Sequence, residues 1–349
     1  MCKLALVSVF KNNGDCLREW IKHYMNEGVD YFFLTDNGST DNYLSEIQDY
    51  VNSGVITLHK DPKKFVQVEH LNYHLKNAKK FDWVILVDSD EFLYSRKQYR
   101  TIKDYLKTVS KCVNKIVIPW KMFGSSHLKK QPSSIVQNFI YRQQYPLKSS
   151  TNDLQVIEQK CIVRGPDLIR MHIHDAKLKG DCKNEQLSTG KPAANYYTQI
   201  TETLLEESYL HLNHYRVQTW ELFSKNKMLK GDAAGNASKA DKRDRAYFNR
   251  FDTNDLKDTE LKNKKYLPRK TRRIKRKIGG TAYYPYNNKP LLFTNSSRQY
   301  GGFDSRSTLF PSAIVNGLRS IGHSINESNA VMNGSYKEVD PSWRIQSLK

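Results

Sequence analysis

The sequence predicts an α/β protein: a doubly wound, mainly parallel sheet flanked by helices, followed by an irregular basic extension. Three observations predict it. Compact apolar runs alternate with amphipathic segments four times before Tyr94, the rhythm of strand–helix–strand units that build a parallel sheet. Val84-Ile85-Leu86-Val87 runs straight into Asp88, Ser89, Asp90 and Glu91, as a buried parallel strand does when it delivers polar groups to its carboxyl end. Beyond residue 231 the periodicity gives way to dense Lys, Arg, Asp and Asn.

In chain order, residues 3–10 read as the first buried strand, ended by the turn Lys11-Asn12-Asn13-Gly14. Asp15 can cap a helix whose apolar face is Leu17, Trp20, Ile21, Tyr24 and Met25, with Gly28 placed to terminate it. The next apolar run, 31–34, ends in Thr35-Asp36-Asn37-Gly38-Ser39-Thr40-Asp41. A polar loop at the carboxyl end of a strand is where open α/β sheets bind ligands. There Asp36 and Asn37 could meet a base or ribose and Gly38 could let the backbone approach; an Asn-Gly turn with helix caps fits the same residues. A helix over 44–50, a strand over 55–58 and a helix over 68–80, with Val68, Leu71, Leu75 and Ala78 on one face, lead to the acid-bearing strand.

Further on, a helix is expected near 105–109 and a strand over 116–118. The following Trp120, Phe123, Gly124 and Ser125 could stack on a sugar face or form a packed corner. Residues 135–141, 155–163 and 168–173 look strand-like, with His172 and His174 at their end and His211 and His214 beyond; 219–231 looks like an amphipathic helix. The extension peaks in charge at 267–277, and 313–321 is its one periodic stretch.

Three acids in four positions repel one another. Their charges become tolerable if they face a hard divalent cation, Mg²⁺ or Mn²⁺, that shares a substrate phosphate; a solvated acidic turn is the plainer alternative. The imidazoles of His174 and His214 compete as a third ligand. Across 349 residues, 56 Lys and Arg against 36 Asp and Glu leave a formal charge of +20, which favours anionic partners. Five cysteines without a C-x-x-C pair indicate neither a zinc site nor a disulfide framework, so a reducing compartment fits best. The first apolar run is too short to span a membrane and lacks the flanks of a signal peptide. The expected location is therefore the cytoplasm or the cytoplasmic face of a membrane, with the basic tail as a peripheral contact.

The ordered motifs KNNGDCLREWIKHYMNEGVDYFFLTDNGSTDN, Gln67 with Asn72, WVILVDSDEFL, WKMFGSS and YLHLNHYRVQTWELFSKNK resemble the glycosyltransferase family 92 and family 2-like group over roughly residues 3–231. The resemblance implies a GT-A fold, with the catalytic domain at 1–231 and the extension at 232–349. It implies transfer of a sugar from a nucleotide-diphosphate donor, a UDP-sugar favoured, to a glycan, glycoprotein or lipid, with inversion and with Mn²⁺ or Mg²⁺. Carried over, Asp36, Asn37, Gly38, Asp88 and Ser89 fall on the donor side. Asp88 and Asp90 fall on the metal, with His214 or His174, and Trp120, Phe123, Gly124 and Ser125 on the acceptor side. A base for the acceptor hydroxyl would be Glu158, then Asp153 or Asp175. Asn13 stands where many relatives carry an acid. Nucleic acid is not an expected partner; the rival reading is a degraded scaffold whose Lys/Arg region binds nucleic acid or an anionic membrane.

Overall fold

The computed structural model describes residues 2–145, 159–180, 184–193, 200–228, 243–266, 281–283 and 290–292. The chain divides into two compact units, Met1–Arg269 and Lys270–Lys349. In the second, the described residues are an antiparallel pair, Thr281–Tyr283 with Pro290–Leu292. The expected stretch 313–321 lies outside the described residues, as does the charged run 267–277.

The first unit opens as its periodicity requires: β1 (Leu4–Phe10), α1 (Gly14–Asn26), β2 (Tyr31–Asp36), α2 (Tyr43–Asn52) and β3 (Ile56–Lys60). After α3 (Gln67–Tyr73) come β4 (Trp83–Leu86), β5 (Glu91–Ser95), β6 (Lys115–Met122), the short β7 (Tyr141–Arg142) and β8 (Gln159–Arg164). A hairpin of β9 (Leu168–Met171) and β10 (Ala176–Leu178) leads to β11 (Glu185–Leu187), β12 (Leu210–His214) and β13 (Leu256–Lys257). The main sheet runs β3-β2-β1-β4-β8-β6-β12-β5, with β11 beside β6. Strands β1 to β4 are mutually parallel, β8 is antiparallel to both neighbours, and β12 is parallel to β6 but antiparallel to β5. This is the mixed, mainly parallel α/β class that the sequence predicts.

The chain winds from β1 outward to β3, then crosses to the other side of β1 for β4. The switch point between β1 and β4 therefore opens at the carboxyl edge, between the loop after β2 and the loop after β4. Helix α1 fixes this edge. Its Leu17, Trp20, Ile21 and Tyr24 are fully buried, each burial contributing about 1.5–3 kcal/mol. Its two aromatic polar groups, Trp20 Nε1 at 2.8 Å and the Tyr24 hydroxyl at 3.0 Å, both donate to the Glu91 carbonyl. Asp15 lies in the first turn of α1 rather than capping it, since the helix begins at Gly14 and Asn13 holds the cap position.

Residues 135–141, expected as a strand, begin instead as a helical turn, Ile135–Asn138. The Ser134 hydroxyl accepts from the Gln137 amide and the Glu19 carboxylate from the Ile135 amide, capping contacts that outweigh the β-propensity of Ile-Val. The polar residues 243–266, read from the sequence as part of the extension, fall within the first compact unit. Asp258 and Glu260 bring their carboxylates to Lys121, Arg142, Arg96 and His211, and the Lys121 ammonium, on a residue 1% exposed, lies 2.8 Å from Asp258 and 2.9 Å from the Tyr94 hydroxyl. The same segment covers Gly124: a Cβ there would stand 2.3 Å from the Thr253 carbonyl oxygen and 2.6 Å from Asn254 Oδ1. Gly124→Ala is expected to destabilise the fold by about 1–3 kcal/mol in a urea titration.

Buried histidines, His23 and His74 among them, make stability pH-dependent. Burial pushes His23, which faces the Leu93 carbonyl at 2.7 Å, down to about 4, and His74, beside Thr35 Oγ1 at 3.0 Å, down to about 3. Both are neutral when folded and take up protons near pH 6.5 when unfolded, so the unfolded chain binds more protons below that pH. Stability should fall as pH drops from about 6.5 toward 4, by about 1.4 kcal/mol per pH unit for each histidine. Denaturant midpoints at pH 7 and pH 5 check this; equal values would contradict it.

Candidate active site

Four apolar residues in β4, all buried and continuous with Val87, leave Asp88, Ser89 and Asp90 at the carboxyl edge of the sheet. Each acid is met by a lysine from a distant element. Lys160, on β8, donates to Asp88 Oδ2 at 2.7 Å and to the Ile173 carbonyl at 2.8 Å. Lys227, at the end of a wide helical turn Phe223–Lys227, donates to Asp90 Oδ2 at 2.5 Å and to the Arg216 carbonyl. Burial alone would raise the Asp90 carboxyl, but Lys227 and His214 hold it well below the usual range. Burial works against the Lys160 ammonium too, and Asp88 with Glu91 outweighs it, raising its pKa. Glu91 itself is fully buried; its Oε2 accepts the Asp88 amide at 2.8 Å, and burial holds its carboxyl well above the ordinary range.

The remaining oxygens of the acid pair are less engaged. Asp88 Oδ1 accepts a long 3.3 Å contact from the Gln67 amide, and Asp90 Oδ1 lies 3.6 Å from His214 Nε2, beyond hydrogen-bond reach. Burial lowers the pKa of His214, favouring the neutral ring, and its Nδ1 is buried without a hydrogen-bond partner among the described residues. Two hard carboxylate oxygens and a neutral imidazole nitrogen are donors that suit Mg²⁺ or Mn²⁺. Among the described residues no three His, Cys, Asp or Glu side chains form a ready cation cluster, so a bound cation would complete its shell with water and phosphate oxygens.

The loop after β2 stands on the other side of β1. Both oxygens of Asp36 already accept, Oδ1 from the Ser39 amide and Oδ2 from the Tyr43 hydroxyl, each at 2.8 Å. Asp36 thus shapes the loop from within. Asn37 Nδ2 donates to the carbonyls of Asp61 and Lys63 at 2.9 and 2.6 Å. Gly38 has a φ of +74° and would bring a Cβ to 3.0 Å from Pro62, so no other residue fits without strain.

The other expected residues divide. Trp120 is buried at the edge of the site, 4.2 Å from the His214 ring and 5.4 Å from the His174 ring, and its indole N–H has no hydrogen-bond partner among the described residues. His174 Nδ1 lies 3.3 Å from the Gln159 carbonyl, so the imidazole that reaches Asp90 is His214. The loop after Trp120 is a packed corner rather than an open stacking surface. Phe123 is 1% exposed and packs on Tyr215 at 4.9 Å, Gly124 is covered by 253–254, and Ser125 donates to the Asp252 carboxylate. Asp175 pairs with Lys115 at 2.7 Å. Lys115 opposes Val163, three residues along β8 from Lys160, about 10 Å down the strand from the acid pair. Asp153 and Glu158 lie outside the described residues. Sequence reading left Lys160 and Lys227 unassigned; their only trace was their presence in strand and helix segments otherwise read for periodicity.

Fold and site together define an α/β protein with a lysine-countered acid pair at the carboxyl edge of its sheet, beside the switch point. The chain belongs to glycosyltransferase family 92, whose profile matches residues 8–265. It is 26% identical over 234 residues to a family 92 protein of Arabidopsis thaliana and 22% identical over 226 residues to one of Ricinus communis; each match covers 63% of this chain and 36% of the relative. The chain thus spans about a third of the length of these curated relatives. Among solved structures it is similar to S. aureus TarS 1-349 (TM-score 0.31, 16% identity, 47% of each chain). It is also similar to GalNAc-T7 with UDP, GalNAc and Mn²⁺ (TM-score 0.28, 14% identity, 35% of this chain and 23% of that one). The fold described above rests on the chain's own strand order rather than on these likenesses. Among the described residues no helix is long and apolar enough to cross a membrane.

Proposed function

We propose that the chain transfers a sugar from a nucleotide-diphosphate sugar to a hydroxyl of a glycan, glycoprotein or lipid, with inversion at the anomeric carbon. The observation that carries this reading is the acid pair Asp88 and Asp90 at the carboxyl edge of β4, one strand from the Asp36–Gly38 loop, in a chain of family 92. The loop after β2 would take the nucleoside and the acid pair the diphosphate. A uridine donor follows from the family resemblance. Asp88, Asp90 and His214 would hold Mn²⁺ or Mg²⁺, which when bound supplies Lewis-acid stabilisation of the leaving diphosphate.

The chain's own groups prepare that site. Lys160 and the Glu91 carboxyl orient Asp88 from either side, and α1 anchors the Glu91 carbonyl through Trp20 and Tyr24. Trp120 offers its unpartnered N–H to the acceptor side. The proposed general base is Glu158, two residues before Lys160 in the chain, with Asp153 as its rival. Asp175 is a weaker choice because Lys115 holds its carboxylate. We place the catalytic unit at 1–269, since residues 252–266 complete its core.

The test is a melting-temperature screen with Mn²⁺ and a panel of UDP, GDP, dTDP and CMP. At a hundredfold excess over its dissociation constant, a ligand of the native state stabilises by about 2.7 kcal/mol. The expected result is a shift for one nucleotide that requires metal. Stabilisation by DNA or anionic vesicles alone, unchanged in Asp90→Ala, would leave the transferase reading without support and favour a basic binding protein.

A further inference from the structure

We propose that Lys227 is a diphosphate-binding residue whose ammonium rests on Asp90 until a donor arrives. The proposal depends on the transferase reading and adds to it the side chain that meets the leaving group.

Two lysines face two acids, and their surroundings give them different freedoms. Lys160 projects from the middle of the sheet, is 1% exposed, and is held by Asp88 and by the Ile173 carbonyl while lying 5.9 Å from the Trp120 ring centroid. It has no room to follow a ligand and acts as a permanent counter-charge to Asp88. Lys227 sits at the rim. Its turn is anchored by Phe223, fully buried and packed 5.3 Å from Phe248, which fixes the backbone, while its side chain keeps 13% exposure and reaches Asp90 along its four-carbon stem. A compact ammonium on a flexible tether can change partners by rotating a few bonds.

Charge balance gives the exchange its direction. Asp88 and Asp90 are neutralised by Lys160 and Lys227; the diphosphate of an intact nucleotide sugar is a dianion that one divalent cation would balance, and the diphosphate released from it carries one further negative charge that an ammonium can meet. Were a divalent cation held by the carboxylates, the Lys227 ammonium would lose Asp90 as its partner, and the diphosphate would be the anion beside it, so that ammonium would not be left buried without a counter-charge. Both lysines also donate to a backbone carbonyl, but the side chain of Lys227 is the more exposed of the two, 13% against 2%, so it is the one placed to turn toward a ligand and add a charge-assisted hydrogen bond to the leaving group.

Calorimetric titration of the full chain with UDP in Mn²⁺, with uridine in Mn²⁺, and with Mn²⁺ alone tests the proposal on the parent and on Lys227→Met. The expected result is UDP binding weakened at least about tenfold, the scale of one charge-assisted hydrogen bond, with uridine unchanged and Mn²⁺ alone bound no more weakly, since Asp90 is then unpaired. If Lys227 only neutralises Asp90, the variant binds Mn²⁺ more tightly and UDP as well as the parent does, which overturns the proposal. Should Lys227→Met lose the folded circular dichroism spectrum, Lys227→Gln carries the test with the same expectation, because the amide can still donate to Asp90 and to the Arg216 carbonyl without the charge. A parent that binds none of UDP, GDP, dTDP or CMP overturns the transferase reading and this proposal together. A parent that binds UDP as its neutral variants do overturns this proposal alone.

Discussion

On the proposed transferase reading, Asp90→Asn is expected to lower sugar transfer by about a hundredfold or more, in the range seen when one preorganised charge-stabilising group is removed. It should also remove the metal-dependent nucleotide shift in melting temperature. The magnitude follows from where Asp90 stands. It is the acid that faces both the Lys227 ammonium and the His214 imidazole, so its loss would remove a proposed metal donor and the resting partner of Lys227 at once. Asparagine keeps the shape, so the folded spectrum should persist. Transfer measured with the donor that the nucleotide screen identifies decides the matter: activity within threefold or so of the parent would place the chemistry elsewhere. Asp88→Asn is expected to be damaging for a second reason, because it would leave the fully buried Lys160 without its principal carboxylate.

Asp258→Ala should destabilise the first unit by about 3–5 kcal/mol, because it leaves the Lys121 ammonium buried with its closest carboxylate gone. The same carboxylate oxygen also accepts from Arg142 Nε at 2.8 Å, so two cations lose a partner. For a unit of this size the melting temperature should fall by about 10 °C. The companion experiment is truncation after residue 231, which removes Asp258, Glu260, the Thr253 cover over Gly124 and the buried Leu261. The truncated chain should fail to give a cooperative thermal transition. A cooperative transition near the parent's temperature would show that the segment is dispensable to the core and would restore residue 231 as the domain limit.

Lys225→Ala makes a useful contrast. Its ammonium pairs with Glu221 on the helix surface, with 69% of the side chain exposed, and such a solvent-screened pair contributes little to stability. A single residue, Asn226, separates it from Lys227 on the same turn, and composition alone treats them alike.

Periodicity and residue chemistry determined the early elements of this protein. Strands β1, β2 and β4 and the face of α1 were legible because each buries a continuous run of apolar side chains, a local property of the chain. The position of Asp88 and Asp90 was legible for the same reason, since a buried strand must end where its acids begin. Residues 135–138 were misread because a capping hydroxyl and a carboxylate from α1 decide their conformation, and only the Ser134 half of that cap is local. The counter-charges of the site were decided by the tertiary structure alone. Lys160 lies 72 residues from Asp88, and Lys227 lies 137 from Asp90, as Lys121 does from Asp258. In a chain carrying 56 Lys and Arg, nothing local marks which cations leave the solvent. That choice is made by which strands and turns the fold brings against each carboxylate, where low dielectric makes a pair strong and an unpaired charge costly.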